Sequence, residues 1–200
     1  MFALVDKSDN SITTMYSGNK GIQIGDLKYP RAIYTLWSEA ERNAINIYTV
    51  TINESNKKDV TWYTNTDITY SFDGTNATGS YGDATAKAHA DANYTAEDED
   101  NGLGTEGELK SRGLKYNLIQ LVKGEAAGEL KKTDWYITRK SEKNIAIPSA
   151  VSTHRDAVRS KQAAMETAIT NASDTPALET LYTRNEESVR PLGDIPITDF

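Results

Sequence analysis

Few residues of this chain have the types and spacing that chemistry needs. Gly102-Leu103-Gly104-Thr105-Glu106-Gly107 matches G-x-G-x-x-G, the pattern that cradles a pyrophosphate when it joins a strand to a helix. Here Glu97-Asp98-Glu99-Asp100 precedes it and would repel a phosphate, so a turn is the expected reading. Glu97, Glu99, Asn101, Gly102 and Glu108 also fall at positions 1, 3, 5, 6 and 12 of a calcium loop. Position 1 is Glu rather than Asp, and Gly104 stands where an aliphatic residue belongs. A solvated acidic loop is expected, with no metal and no cofactor.

The histidines are His89 and His154, and there is no cysteine. A three-histidine metal centre, a thiolate site and a cysteine nucleophile are therefore excluded within one chain. Neither histidine has the neighbours of a catalytic triad. His154 lies three residues after Val151 and four before Val158, which places it on or beside the packed face of a helix. No catalytic residue is assigned, and the chain is expected not to be an enzyme. A glycosidase-like carboxylate pair cannot be chosen among 29 Asp and Glu.

One cluster has the composition of a contact surface. Lys131, Lys132, Arg139, Lys140 and Lys143 surround Trp135 and Tyr136, with Asp134 and Glu142 diluting the charge. Such a mixture holds an acidic surface or single-stranded nucleic acid. The ordinary alternative is cations at a helix C-terminus and aromatics packed between helices. The whole chain carries a net charge of -7, which argues against nucleic acid as the partner. Trp135, Tyr136, Arg139 and Lys140, together with the terminal Phe200, are the candidate protein-interaction residues. The aromatics Trp62, Tyr63 and Tyr81 would serve a glycan- or receptor-binding module if they faced outward.

The elements that must position these residues fall into two styles. The 200 residues are 38% hydrophobic, with a mean hydropathy of -0.61, a polar composition for one compact core. Residues 1–100 hold the whole net charge, and the rest of the chain is neutral. Residues 1–83 read as a β-rich domain. A hairpin is expected from Phe2–Val5 and Ile12–Tyr16, a short helix near 36–45 with Ser38 as N-cap, and a strand over 47–52. An alternating stretch at 60–64 follows, then a hairpin turning at Asp73-Gly74. Residues 84–107 read as an acidic flexible linker. Residues 108–183 read as a helical hairpin. The first helix, about 108–133, carries Leu114, Leu118, Leu121, Val122 and Leu130. A basic turn follows to Lys143. The second helix, about 150–171, carries Val151, Val158, Met165 and Ile169. A third, shorter helix is expected with Thr175 as N-cap and Pro176 at its first position. Residues 184–200 read as an extended arm able to dock on a neighbour. The fold class is α+β. The opening Met1–Asn10 reads as strand and turn rather than a secretory signal, and no apolar run approaches membrane-helix length.

The segment KKTDWYITRKSEKNIAIPSAVSTHRDAVRSKQAAMETAI (131–169) resembles one found in tailed-bacteriophage structural and tail-fibre-associated proteins. In that family a helix ends in T/S-D-W-Y/M, followed by R-K, a turn, I-P-x-x-V/W, a Y/H-R pair and V-R. The matching residues are Thr133, Asp134, Trp135, Tyr136, Arg139, Lys140, Ile147, Pro148, Val151, His154, Arg155, Val158 and Arg159. The stretch IYTLWSEAERNAINIYTV (33–50) is similar to the family's front segment, with Asn46 where the family often has Gly. The likeness spans roughly residues 22–60 and 108–182. It implies a non-enzymatic tail component made in the host cytoplasm and carried in the virion. Its partners would be other phage tail proteins and further copies of itself, not nucleic acid and not a membrane. A tail-fibre assembly chaperone is the alternative. On its own chemistry the motif reads as a lock. Trp135 would pack beneath the second helix, Asp134 would cap the turn, and Arg139 or Arg155 would pair with carboxylates.

Overall fold

The computed structural model describes residues 1–198. The chain divides into two units, Met1–Thr85 and Ala86–Phe200, and the fold class is α+β.

The first unit is built on a five-stranded sheet. Its strands are β1 (Phe2–Asp6), β2 (Ser11–Tyr16), β5 (Ile47–Asn53), β7 (Ile68–Phe72) and β8 (Ala77–Tyr81), in the order β2-β1-β5-β8-β7. All neighbours are antiparallel except β5 and β8. The smaller elements are β3 (Ile22–Ile24), β4 (Leu27–Tyr29), α1 (Ile33–Leu36), α2 (Glu39–Ala44) and β6 (Tyr63–Thr64); β9 (Thr85–Ala86) lies at the unit boundary. Strand alternation gives β1 two apolar faces. Ala3 and Val5 join Tyr48, Val50, Phe72 and Ala77 in one core. Phe2 and Leu4 turn the other way, onto Ile22, Ile33, Tyr34 and Ile47. The expected hairpins both form, and Gly74 turns the second with φ 96°. Ser38 and Glu41 make a full capping box at α2. Asn46 leaves that helix with φ 61°, a left-handed conformation that Gly adopts freely and Asn tolerates.

The second unit opens with β10 (Ala92–Asn93) and α3 (Ala96–Asp100), where sequence reading places a flexible linker, and β11 (Leu109–Ser111), where it places the start of the first helix. Thr95 and Asp98 cap α3 reciprocally, and Lys110 pairs with Asp98 at 2.7 Å. The segment carries little apolar signal because caps and turns, not burial, hold it. Three longer helices follow: α4 (Leu114–Lys131), α5 (Asp134–Lys143) and α6 (Ser149–Asn171), then α7 (Thr175–Tyr182). Val122, Ala126 and Glu129 make the buried stripe of α4; Leu121, expected there, is exposed. The stripe expected on α6 is buried at Val151, Val158, Met165 and Ile169, with Arg155 added to it. The basic turn expected before Lys143 is instead the helix α5. Asp134 opens it, Lys140 and Lys143 close it in accord with the helix dipole, and Asn144 caps it at φ 53°. At α7 the N-cap is Asp174 rather than Thr175, its carboxylate accepting from the Ala177 amide. Among the described residues no helix is long and apolar enough to cross a membrane.

Candidate protein-interaction site

The site grows from the corner between α4 and α5. Only Lys132 and Thr133 separate the two helices, so the last carbonyls of α4, which have no partners within a continuing helix, find them at the corner. Arg155 supplies one. It lies four residues after Val151, one turn along the buried face of α6. Its Nη1 donates to the Leu130 carbonyl at 2.8 Å, the Thr133 hydroxyl at 2.7 Å and Asp134 Oδ1 at 2.9 Å. Thr133 in turn donates to the Leu130 carbonyl at 3.1 Å. One guanidinium nitrogen therefore ties the end of α4, the corner and the first turn of α5.

A second buried group lies beside it. Glu129 is 5% exposed. Its carboxylate accepts from Lys132 Nζ at 2.6 Å and the Thr198 amide at 2.9 Å, and lies 3.1 Å from His154 Nε2. Lys132 also donates to the Thr198 carbonyl at 3.2 Å. Burial raises the Glu129 pKa, but the hydrogen bonds from Lys132 and Thr198 and the lysine charge outweigh it, so the carboxyl titrates below the ordinary glutamate range. A carboxylate only accepts, so the His154 pairing requires the proton on Nε2. The packed histidine expected from spacing is thus a hydrogen-bond partner of Glu129 on the α6 face.

Glu129 also pins the chain's C-terminal part. Leu192 and Ile195 are buried, Lys161 donates to the Leu192 carbonyl at 2.8 Å, and Arg190 pairs with Asp194 at 2.9 Å. The arm, expected to be extended and to dock on a neighbour, instead turns twice, at Ser188 (φ 61°) and Gly193 (φ 69°), and through residue 198 it packs on its own helices. Phe200, the expected anchor, lies outside the described residues.

The remaining candidates stand together on α5. None of the ten α5 residues is buried. Trp135 is 51% exposed, so it does not pack beneath the second helix as the motif led one to expect. It stacks on Tyr136 with ring centroids 3.8 Å apart, and the Arg139 guanidinium covers both rings at 4.7 and 5.1 Å. At 100° per residue, Trp135, Arg139, Lys143, Tyr136 and Lys140 form one continuous stripe. Asp134 does not cap the corner with its side chain. Its carboxylate goes to Arg155, and the N-cap Thr133 makes no capping side-chain bond. Arg155, not Arg139, is the arginine paired with a carboxylate.

The other sequence signals resolve structurally. The glycines at 102, 104 and 107 connect α3 to β11, not a strand to a helix, and Gly102 and Gly107 turn at φ 70° and 82°. Glu99 accepts from the Glu106 amide, and Asn101 donates to the Glu97 carbonyl. No cluster of His, Asp and Glu able to hold a metal is present among the described residues. His89 contributes its carbonyl to the Lys115 amide. Trp62 is buried rather than outward, Tyr63 and Tyr81 are half-buried, and Lys57 lies over the Tyr81 ring. Sequence reasoning missed Glu129 and Thr133 as working residues. The signal was there in the spacing 122, 126, 129, 133, a helical stripe that an apolar-only reading breaks at its two polar members. No family model, no curated protein and no solved structure matches the chain.

Proposed function

We propose that this protein is a non-enzymatic structural component of a bacteriophage tail, in the fibre, baseplate or collar region, working through protein–protein contacts and in several copies. The observation that carries this reading is the division of labour within the 131–169 motif. Thr133, Asp134, Val151, His154, Arg155 and Val158 are engaged in packing and hydrogen bonding that fix α5 on α6. Trp135, Tyr136, Arg139 and Lys140 are carried outward on a helix that buries nothing of its own. Within that motif, a lock together with a presented aromatic–cation stripe fits a contact module.

Mass spectrometry of purified particles, with copy number, tests this. Stoichiometric presence in multiples of three or six is expected. Absence from particles, with presence in the lysate, would overturn it in favour of an assembly chaperone.

A further inference from the structure

The α5 stripe has a complement within the same chain. Residues 97–108 contain six carboxylates and no basic residue. The loop also exposes Leu103 (59%), with Leu109 (43%) just beyond it. This loop has a defined shape. The capping box at Thr95 and Asp98 starts it, the Gly102 and Leu103 amides donate to the Glu99 and Asp98 carbonyls, and the Gly107 amide returns to the Tyr94 carbonyl. Apolar side chains set among carboxylates are the inverse of the pattern on α5, where Trp135 and Ile137 are exposed among Arg139, Lys140 and Lys143.

Both partners are accessible in the single chain. Among the described residues the α5 cations Arg139, Lys140 and Lys143 pair with no carboxylate; Asp134 is taken by Arg155, and Lys132 by Glu129. A guanidinium already stacked on two rings is oriented for a carboxylate.

Building on α5 as the contact surface, we infer that its stripe docks on the acidic turn 97–108 of a second copy of this chain. Such a contact is heterologous: each copy offers α5 to one neighbour and its acidic turn to another. It propagates as a ring or an open stack, depending on the rotation between copies. The association is driven by charge and weakened by salt, with Trp135 and Leu103 as the apolar centre.

Charge reversal in the full-length protein tests this directly. One variant carries Arg139→Glu, Lys140→Glu and Lys143→Glu; the other carries Glu97→Lys, Asp100→Lys and Glu108→Lys. Sedimentation velocity would be run from about 20 mM to about 0.5 M salt, where the Debye length falls from roughly 20 Å to roughly 4 Å. The unaltered chain is expected to self-associate at low salt and to dissociate at high salt. Each reversed variant alone is expected to associate at least tenfold more weakly. An equimolar mixture of the two is expected to regain association, because each then meets an opposite charge on the other, and this also shows that both are folded. A chain that stays monomeric at low salt, or self-association indifferent to either reversal, or a mixture that regains nothing, overturns the inference. These outcomes are independent of the particle composition that decides the tail reading.

Discussion

The two units bury different chemistry. The sheet of the first unit is covered on both faces by apolar side chains, Ala3, Val5, Tyr48, Val50, Phe72 and Ala77 on one and Ile22, Ile33, Tyr34 and Ile47 on the other. Among the described residues the buried polar or charged side chains, Glu129, Thr133, Arg155 and Thr175, all belong to the second unit. The reason lies in the backbone. A sheet pairs its amides and carbonyls along its ladders, so its core needs no polar help. Helices end with carbonyls that have no partner in the helix, and the corner between α4 and α5 leaves the Leu130 carbonyl part-buried. Arg155 and Thr133 meet that need at Leu130. A buried ionic corner also restricts the geometry, because moving α5 away would strand the Arg155 charge. The helical unit gives up some of the tolerance of an apolar core and gains a fixed direction for α5.

This contrast predicts where each unit breaks. The largest effect is expected from Phe72→Ala, which removes a ring packed 4.5 Å from Tyr48 in the sheet core. A loss of about 3–5 kcal/mol is expected, unchanged between pH 4 and pH 7 on urea denaturation, because no charge is disturbed. Arg155→Ala should cost about 2–3 kcal/mol, below the usual range for breaking a buried pair because Asp134 is itself 58% exposed. Its signature differs from that of Phe72→Ala. Hydrogen exchange should accelerate selectively in residues 134–143, the helix whose first turn Arg155 holds. Acceleration spread evenly over the second unit would show that Arg155 acts only through packing.

Glu129→Gln separates charge from shape. The amide keeps the size of the side chain and one acceptor, so a loss of about 1–2 kcal/mol is expected at neutral pH. The pH profile tells more. The Glu129 carboxyl titrates lower in the folded chain than in the unfolded one, through Lys132 and Thr198. Its contribution is therefore complete above the ordinary glutamate range and is lost as pH falls through the depressed folded value. The unaltered chain should lose protection of the Thr198 amide on acidification, whereas the Gln variant should start low and stay flat. A parallel acid profile in both would assign the acid response to other carboxylates, such as Asp194, which is lowered by Arg184 and Arg190.

The sheet was the more legible unit because its signals are local. Asp73-Gly74 and the Ser38 capping pattern each act over a few residues and form as read, whereas the alternating stretch 60–64 is a turn through Trp62 and strand only at Tyr63–Thr64. The helical unit was legible where apolar spacing governs, as on α6, and illegible where polar side chains do the packing. Helix α5 has no buried stripe for periodicity to find; its caps and end charges make it. Trp135 misled most, since a tryptophan beside Asp and Tyr reads as core, yet Asp134 is drawn to Arg155 and turns the helix so that Trp135 faces out. That choice depends on Arg155, 20 residues away in the sequence, and no local rule contains it. The pairing of α3 with Lys110 and of the C-terminal part with Glu129 is non-local in the same way.

The smallest stability effect is also the sharpest test of the contrast within the second unit. Trp135→Ala removes the largest side chain of α5, and if α5 were part of the core this would cost several kcal/mol. Half-exposed and stacked only on its own helix's Tyr136 and Arg139, it should change stability by no more than about 0.5 kcal/mol. Association between copies should fall at least tenfold in the same variant, because an aromatic anchor at the centre of an interface carries a disproportionate share of the binding. A residue costly for folding and neutral for association would place Trp135 in the lock with Arg155. The reverse pattern separates the two functions of a single segment: α6 holds α5 in place through Arg155, and α5 presents what Arg155 has positioned.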